Sequence, residues 1–161
     1  MVKILSWDIG TKNLTYCLIE KQTDRSKIFM WEIINISTDE KTTQSCAKKL
    51  YEELNKRNFG DIDKLLIENQ PALLNPTMKI ISVLLLSYFC YVKNVPYECI
   101  VFVSPMAKFK HVTPRPKSYK ERKKLAIKMC YDLITEDERI ILNSHRKKDD
   151  LADSYLQAHT L

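Results

Sequence analysis

The chain has 161 residues and a formal net charge of +6 at pH 7. This length favours one domain over residues 1–161, whose core buries about two thirds of the unfolded surface and needs no disulfide or structural metal. The five cysteines are odd in number and include no C-x-x-C pair, so the pattern indicates neither a zinc site nor a closed disulfide framework, and we expect a reducing, intracellular compartment. The apolar run at the start is too short for a signal peptide, and the longest run, residues 80–92, is too short for a membrane span, so we expect a soluble protein without membrane contact.

The positive charge is concentrated in one segment of the chain. Between residues 104 and 148 there are 13 Lys or Arg residues against 5 Asp or Glu, so this segment carries the whole excess. Such a block attracts polyanions, and its binding is salt-sensitive if it contacts phosphates. A solvated basic face has the same composition, so charge alone leaves nucleic-acid binding and this plainer interpretation equally open.

The first part of the chain predicts three antiparallel strands. Residues 2–7 form an apolar strand that reaches Asp8, and strand-like patterning resumes over residues 14–20 after a turn at residues 10–13. Residues 28–36 alternate loosely and are rich in isoleucine and aromatic side chains, which predicts the next strand of a meander.

Two helices and a short strand follow. Residues 38–58 place Cys46, Leu50 and Leu54 four apart among charged residues, which predicts an amphipathic helix. Residues 65–68 predict a buried strand, and a second helix begins at Pro76 and continues to about residue 93. Because 11 of the 13 residues over 80–92 are apolar, we expect both sides of this helix to be covered. It is either a central core helix or one that also contacts a second copy of the chain.

The last part of the chain completes an α/β pattern. Residues 97–103 predict a further buried strand, followed by a Pro- and Lys-rich loop over residues 104–117. One helix is expected over residues 118–133 and a last one from residue 148 onward. These elements predict a mixed central five-stranded sheet flanked by helices.

Acidic residues stand at the ends of two of the predicted strands. Asp8 opens the sequence D-I-G-T, and Glu68 closes L-L-I-E. If the two strands are parallel neighbours, both carboxylates meet at one edge of the sheet. D-I-G-T also opens the phosphate loop of actin-like proteins and sugar kinases, but that architecture needs two lobes, for which this chain is too short.

A third group of acids lies at the start of the last predicted helix. Asp150 and Asp153 are three residues apart and share a helix face, and we expect Asp149 to cap the helix. Three or four converging carboxylates without His or Cys ligands form a hard oxygen site that favours Mg²⁺ or Mn²⁺. Two such ions about 4 Å apart support phosphodiester cleavage, so hydrolysis of a nucleic-acid backbone is the natural hypothesis.

The ordered motifs D-I-G-T, I-E-N-Q-P, a basic loop and D-D-L-A-D resemble the RuvC-like Holliday junction resolvases, most nearly their poxvirus branch. The resemblance covers nearly the whole chain. It implies an RNase H-like fold, a homodimer, two Mg²⁺ ions per active site with Mn²⁺ as a substitute, and paired nicks across a four-way junction. It implies that Asp8, Glu68, Asp150 and Asp153 are catalytic and hold the metal. A viral protein of this kind is expected in the cytoplasm of the infected cell, in DNA recombination and the processing of replicated genome concatemers.

The resemblance further implies a lysine near the active site, for which the basic loop offers Lys108 and Lys110. We favour Lys110, since a cation there polarises the scissile phosphate, although simple backbone-phosphate contact is equally open. The helix over residues 80–92 is the expected dimer contact. The residues expected to bind DNA are Lys108, Arg115, Lys117, Lys120, Arg122, Lys123, Lys124, Arg146, Lys147 and Lys148.

Two alternatives remain open at this point. A nuclease of the same fold that acts on other branched, duplex or hybrid substrates would share every acid discussed. A basic DNA-binding module without catalysis would explain the charge but would leave the ordered acids unexplained.

Overall fold

The computed structural model describes residues 1–22, 26–71 and 73–161. The strands are β1 (Val2–Asp8), β2 (Leu14–Lys21), β3 (Ser26–Ile34), β4 (Lys64–Glu68) and β5 (Ile100–Val103). The α-helices are α1 (Thr43–Asn55), α2 (Pro76–Tyr91), α3 (Tyr119–Leu133), α4 (Glu136–Ser144) and α5 (Lys148–Thr160). Single 3₁₀ turns cover Tyr97–Cys99 and Ala107–Phe109.

The five strands form one sheet in the order β3-β2-β1-β4-β5. β1, β2 and β3 pair antiparallel, whereas β4 runs parallel to both β1 and β5. The predicted mixed sheet is therefore confirmed, and β1 and β4 are the parallel neighbours that a shared acidic edge requires. Because parallel strands end at the same edge, the carboxyl ends of β1, β4 and β5 lie side by side.

Alternating side chains give the sheet two apolar faces. Leu5 and Tyr16 point to the face covered by α1 and α2, while Ile4 and Cys17 point to the face covered by α3, α4 and α5. Strand alternation thus divides the core into two layers. All five cysteines are free thiols.

Helix α5 lies across the second face and is tied to the sheet by several hydrogen bonds. The indole Nε1 of Trp31 donates to the carbonyl of Leu151 at 2.9 Å, and Gln157 Nε2 donates to the carbonyl of Trp7 at 3.3 Å. Both bonds are buried, where an unpaired polar group would be costly. They fix the position of α5 against the strands whose ends carry the acids.

Several element boundaries differ from the sequence-based predictions. Helix α1 begins at Thr43 rather than residue 38, because the Thr42 side chain accepts from the Ser45 backbone N–H and so caps it there. Residues 97–99 form a 3₁₀ turn after Pro96 and leave β5 only four residues. Helix α4 was not predicted, although the capping box of Thr135 with Glu138 marks its start.

Helix α2 buries one face and exposes another. Ile81, Leu85 and Phe89 are fully buried against the sheet, whereas Val83 is 48% exposed and Tyr91 is 84% exposed. The exposed face also includes Ile80 and Val92. The interpretation of α2 as a core helix enclosed within one chain is therefore wrong. Among the described residues, no helix has the length and apolar character that crossing a bilayer requires.

Candidate active site

The parallel pairing of β1 with β4 brings Asp8 and Glu68 together. Trp7 lies opposite Ile67 in the register, so the next residue on each strand is an acid at the sheet edge. The backbone N–H of Ile9 donates to Glu68 Oε2 at 3.4 Å. Both carboxyls are half-buried, which places them at the border between the core and solvent.

Gly10 allows the turn that follows Asp8 to close tightly. A Cβ atom at Gly10 would lie 2.6 Å from the backbone oxygen of Asn13, a separation that no side chain tolerates. The glycine therefore makes room for the returning backbone of its own turn. This turn leads into β2 and keeps the end of β1 at the sheet edge.

Helix α5 supplies the other two predicted acids, with its first turn at the same edge of the sheet. Asp150 and Asp153 line a cleft of about 510 Å³ together with Asp8 and Glu68. All four acids predicted from the sequence therefore face one cleft. The other residues that line it are Ile9, Gln70, Pro105, Met106, Lys108, Phe109, Tyr119, Arg122 and Lys123.

Asp8, Asp150 and Asp153 resist ionisation in the absence of a cation. Burial, followed by the hydrogen bond and the charge of Glu68, raises the pKa of Asp8 well above its usual range. Burial and then the charge of Asp149 raise the pKa of Asp150 to about 6. Burial is also the main reason why the pKa of Asp153 is raised, although Lys108 opposes it. A bound cation would oppose these shifts, because it stabilises the ionised carboxylates.

Lys108 is the lysine that reaches the acids. Its Nζ lies 2.6 Å from Asp153 Oδ1, with both side chains largely withdrawn from solvent. The sequence favours Lys110 for this position, but Lys110 is exposed and does not line the cleft. The 3₁₀ turn Ala107–Phe109 explains the difference, because it buries Phe109 and turns its neighbour Lys108 toward α5.

Asp149 does not cap α5 as predicted. Lys147 is the N-cap residue and makes no side-chain capping bond, while Asp149 lies in the first helical turn. The Asp149 carboxylate instead accepts a hydrogen bond from Lys123 Nζ of α3. Lys123 is thus engaged by a neighbouring acid and is not one of the unpaired cations of the basic segment.

The basic residues predicted to bind DNA fall into separate groups. Lys108, Arg122 and Lys123 line the acid cleft. Lys120 and the pair Arg146 and Lys147 are exposed, whereas Lys148 is half-buried and donates to Asn143 Oδ1 at 2.8 Å. The remaining predicted residues line a different groove, and they are Arg115, Lys117 and Lys124.

The sequence analysis did not single out Tyr119 or Gln70, both of which line the cleft. Tyr119 could have been found from its spacing of three and four residues to Arg122 and Lys123, because residues at these spacings on a helix share a face. Tyr119, Arg122 and Lys123 therefore point the same way, and Lys123 Nζ lies 4.8 Å from the Tyr119 ring centre. Gln70 follows Glu68 by two residues in the loop after β4.

The chemistry of the cleft fits a hard divalent cation. Its acids offer only carboxylate oxygens, and the buried Asp153 Oδ1 has no partner in hydrogen-bond geometry among the described residues, despite the nearby Lys108. In the described ranges, no three His, Cys, Asp or Glu side chains are already arranged as a metal-binding group. Oxygen-rich sites of this composition suit Mg²⁺ or Mn²⁺ better than Zn²⁺.

Comparison with known proteins gives one family match and one curated relative. The model of the family described as "Poxvirus A22 protein" matches residues 1–160. An uncharacterized protein of Acanthamoeba polyphaga mimivirus, L451, is 31% identical over 115 residues, which are 60% of this chain and 28% of that protein. The chain therefore spans less than a third of the length of this relative.

Solved Holliday junction resolvases share the fold. The fowlpox virus resolvase, in complex with its substrate Holliday junction DNA, is 24% identical with a TM-score of 0.67, over 98% of this chain and 94% of that one. The yeast mitochondrial resolvase Ydc2 is 18% identical with a TM-score of 0.67, over 99% and 78%. Thermus thermophilus RuvC, in complex with a Holliday junction substrate, is 11% identical with a TM-score of 0.63, over 98% and 92%. The predicted RNase H-like fold of the RuvC type is thereby confirmed.

Proposed function

Because the chain belongs to the poxvirus A22 protein family, we propose that it is a structure-specific endonuclease that resolves four-way DNA junctions by paired, metal-dependent nicks. Residues 1–161 form the nuclease domain in this proposal. The observation that carries it is the convergence of Asp8, Glu68, Asp150 and Asp153 in one cleft with Lys108. The fold shared with resolvases, two of them in complex with junction DNA, supports the substrate class.

The four carboxylates would hold two divalent ions, with Mg²⁺ as the physiological ion and Mn²⁺ as a substitute. Bound ions of this kind activate a water molecule and stabilise the leaving oxygen of a phosphodiester. Hydrolysis forms a bond between the water oxygen and phosphorus and breaks one ester bond, and the leaving oxygen ends as a hydroxyl. The rigid strand ends of Asp8 and Glu68 favour accurate placement of the reacting groups.

Cations around the cleft position the phosphate. Lys108 lies closest to the acids, where it pairs with Asp153. Once Asp153 binds a metal ion instead, the Lys108 ammonium group can stabilise negative charge on the scissile phosphate. Arg122 lines the same cleft and offers a planar donor group that suits bidentate phosphate binding. These contacts fix the register of the strand but read no base sequence.

We further propose a homodimer that forms through α2. Its exposed face over residues 80–92 includes Val83 and Tyr91, and Phe102 of the edge strand β5 is exposed as well. Apolar side chains grouped in this way are typical of protein contacts. A two-fold dimer presents two equal active sites to the two equal strands of a junction. Paired nicks on opposite strands follow from that symmetry.

The proposed setting is viral DNA metabolism in the cytoplasm of the infected cell. The poxvirus family match supports a role in recombination and in the processing of replicated genome concatemers. The free state of all five cysteines suits a reducing compartment.

One gel tests the proposal. Purified protein is incubated with a four-way junction, a fork, a linear duplex and an RNA–DNA hybrid, each with Mg²⁺, Mn²⁺ or a chelator. We expect symmetric nicks on the junction with either metal, weaker cleavage of the other substrates and none with the chelator. Asp8→Asn is the matched inactive control. Preferential cleavage of the hybrid or the duplex would overturn the junction assignment.

A further inference from the structure

Helix α3 carries a second basic surface on the side opposite its buried face. Lys124 and Lys128 are one turn apart and exposed, whereas Ala126 and Cys130 on the other side are fully buried. The loop before α3 lies along Lys124 and Lys128 and encloses a groove. The residues that line it are Pro114, Arg115, Pro116, Lys117, Glu121, Lys124, Leu125 and Lys128.

The four cations of this groove are available to a ligand. Within residues 1–22, 26–71 and 73–161, none of Arg115, Lys117, Lys124 and Lys128 forms an ion pair, in contrast to Lys123. The groove has one acid, Glu121, whose Oε2 accepts from the backbone N–H groups of Lys117 and Ser118. These hydrogen bonds complete the capping box of α3 and lower the pKa of Glu121. Its charge is therefore directed at the helix start, and the groove presents an excess of positive charge.

The groove combines apolar and cationic side chains. Pro114, Pro116 and Leu125 contribute the apolar surface between the basic side chains. A nucleic-acid backbone has the complementary character, with charged phosphates that alternate with less polar sugars. Lys124 and Lys128 are separated by about 6 Å along the helix axis, close to two nucleotide steps of about 3.4 Å on one strand.

We infer that this groove binds the phosphate backbone of a junction arm, at a distance from the strand that is being cut. The inference rests on the proposed function and adds Lys128 to the DNA-binding residues. Only the thickness of α3, about 10 Å, separates the groove from Arg122 and Lys123 in the acid cleft, so one branched DNA can reach both sides. An acidic protein segment would contact the same cations. Unlike a junction arm, however, such a segment is not part of the DNA that occupies the acid cleft.

Neutralised arm phosphates separate this assignment from binding at the junction centre. Two junctions share one sequence, with arms of about 25 base pairs, above two helical turns. In one of them, the arm phosphates outside the crossover are replaced by uncharged methylphosphonates. Binding of wild-type protein and of Lys124→Ala/Lys128→Ala is measured with Ca²⁺ in place of Mg²⁺ over a range of salt concentrations. Lys48→Ala/Lys64→Ala is the matched control, because it removes two exposed lysines from other elements.

For the junction with charged arms, we expect the α3 variant to bind more weakly and to lower the slope of log affinity against log salt by about two. For the junction with neutral arms, the variant and wild type should have the same slope. The control should match wild type with both. A slope that is unchanged with charged arms, or lowered equally with both junctions, overturns the inference. An unchanged slope would indicate that the groove binds a partner other than DNA.

The result is independent of cleavage. A wild-type protein that binds the charged arms through Lys124 and Lys128 but cuts no junction with Mg²⁺ would overturn the proposed function and leave the groove assignment in place. A wild-type protein that cuts junctions while the α3 variant binds normally would overturn the groove assignment and leave the proposed function in place.

Discussion

Lys123 of α3 and Asp149 of α5 form an ion pair at the edge of the acid cleft, with 30% and 13% of their side chains exposed. Burial is the largest single influence and opposes the charge on both groups. Their mutual hydrogen bond and charges, with Tyr119 beside Lys123, together outweigh it, so the pKa of Lys123 is raised and that of Asp149 is lowered. Helix α5 has no side-chain N-cap, and Asp150 follows Asp149 directly. The pair therefore ties α3 to the helical turn that positions a predicted metal ligand.

The first prediction is that the Lys123–Asp149 pair supports cleavage by holding the first turn of α5 in place, and not by contact with DNA. Lys123→Met and Asp149→Asn should each slow single-turnover junction cleavage by roughly 10- to 100-fold, as loss of an outer partner does at metal sites. The exchange Lys123→Asp with Asp149→Lys should recover most of the rate. If Lys123 instead binds a DNA phosphate, Asp149→Asn will be mild and the exchange will be as slow as the worse single variant.

The second prediction separates the two loop lysines. Lys108→Met should lower the cleavage rate at saturating DNA by about 100-fold, because its ammonium group lies beside Asp153 in the acid cleft and stabilises the scissile phosphate in the proposed mechanism. Lys110→Met should change it by no more than a few-fold, since Lys110 is exposed outside the cleft. Rates are compared at saturating Mg²⁺ so that altered metal affinity does not contribute. The opposite ranking would restore Lys110 as the catalytic lysine.

The third prediction concerns the acid on α5 that contacts Lys108. Asp153→Asn keeps the side-chain shape but removes a ligand charge, so we expect cleavage to fall by at least roughly 100-fold while junction binding stays near wild type. Asp132→Asn, on the exposed surface of α3, is the control and should cleave normally. Gel-shift and cleavage assays on the same preparations separate the two effects. Normal cleavage by the Asp153 variant would remove this residue from the site.

The fourth prediction is a pH dependence of stability. The pKa of Asp150 is raised to about 6, so the metal-free fold prefers its protonated form. This contribution is fully present below the ordinary carboxyl pKa and is lost as the pH rises through about 6. The unfolding temperature without metal should therefore fall from about pH 5 to pH 7.5, and the increase caused by Mg²⁺ should grow over that range.

Asp150→Asn provides the control for this measurement. His159 titrates with the opposite sign, because burial and then the charge of Lys21 lower its pKa. The difference between wild type and Asp150→Asn is therefore compared at each pH by thermal unfolding without metal. Parallel curves for the two proteins would show that Asp150 does not titrate near pH 6.

The fifth prediction concerns assembly. Val83→Asp or Tyr91→Arg should yield monomers in light scattering, because each places a charge on the exposed apolar face of α2. Ile140→Asp makes the same kind of change on the exposed surface of α4 and should remain dimeric. On a supercoiled cruciform plasmid, dimers should give linear product and the α2 variants nicked circles. A monomeric wild type that linearises the plasmid in one binding event would refute the dimer mechanism.

The sequence by itself determined the sheet and its acids. The apolar runs that end at Asp8 and Glu68 encode strands through their local pattern, and placing them as parallel neighbours brings both carboxylates to one edge. Asp150 and Asp153 could be assigned to one helix face because helical spacing is regular. The confinement of positive charge to residues 104–148 is likewise a property of the sequence.

Only the tertiary structure decided which neighbouring side chains take part. Lys108 and Lys110 are two residues apart in a loop without a regular period, so the packing of Phe109 determined which of them faces the acids. The partner of Asp149 is Lys123, 26 positions away, and no local pattern encodes such a pair. Likewise, no local pattern shows which face of α2 is exposed. Burial depends on which elements pack against a helix, whereas composition shows only that its residues are apolar.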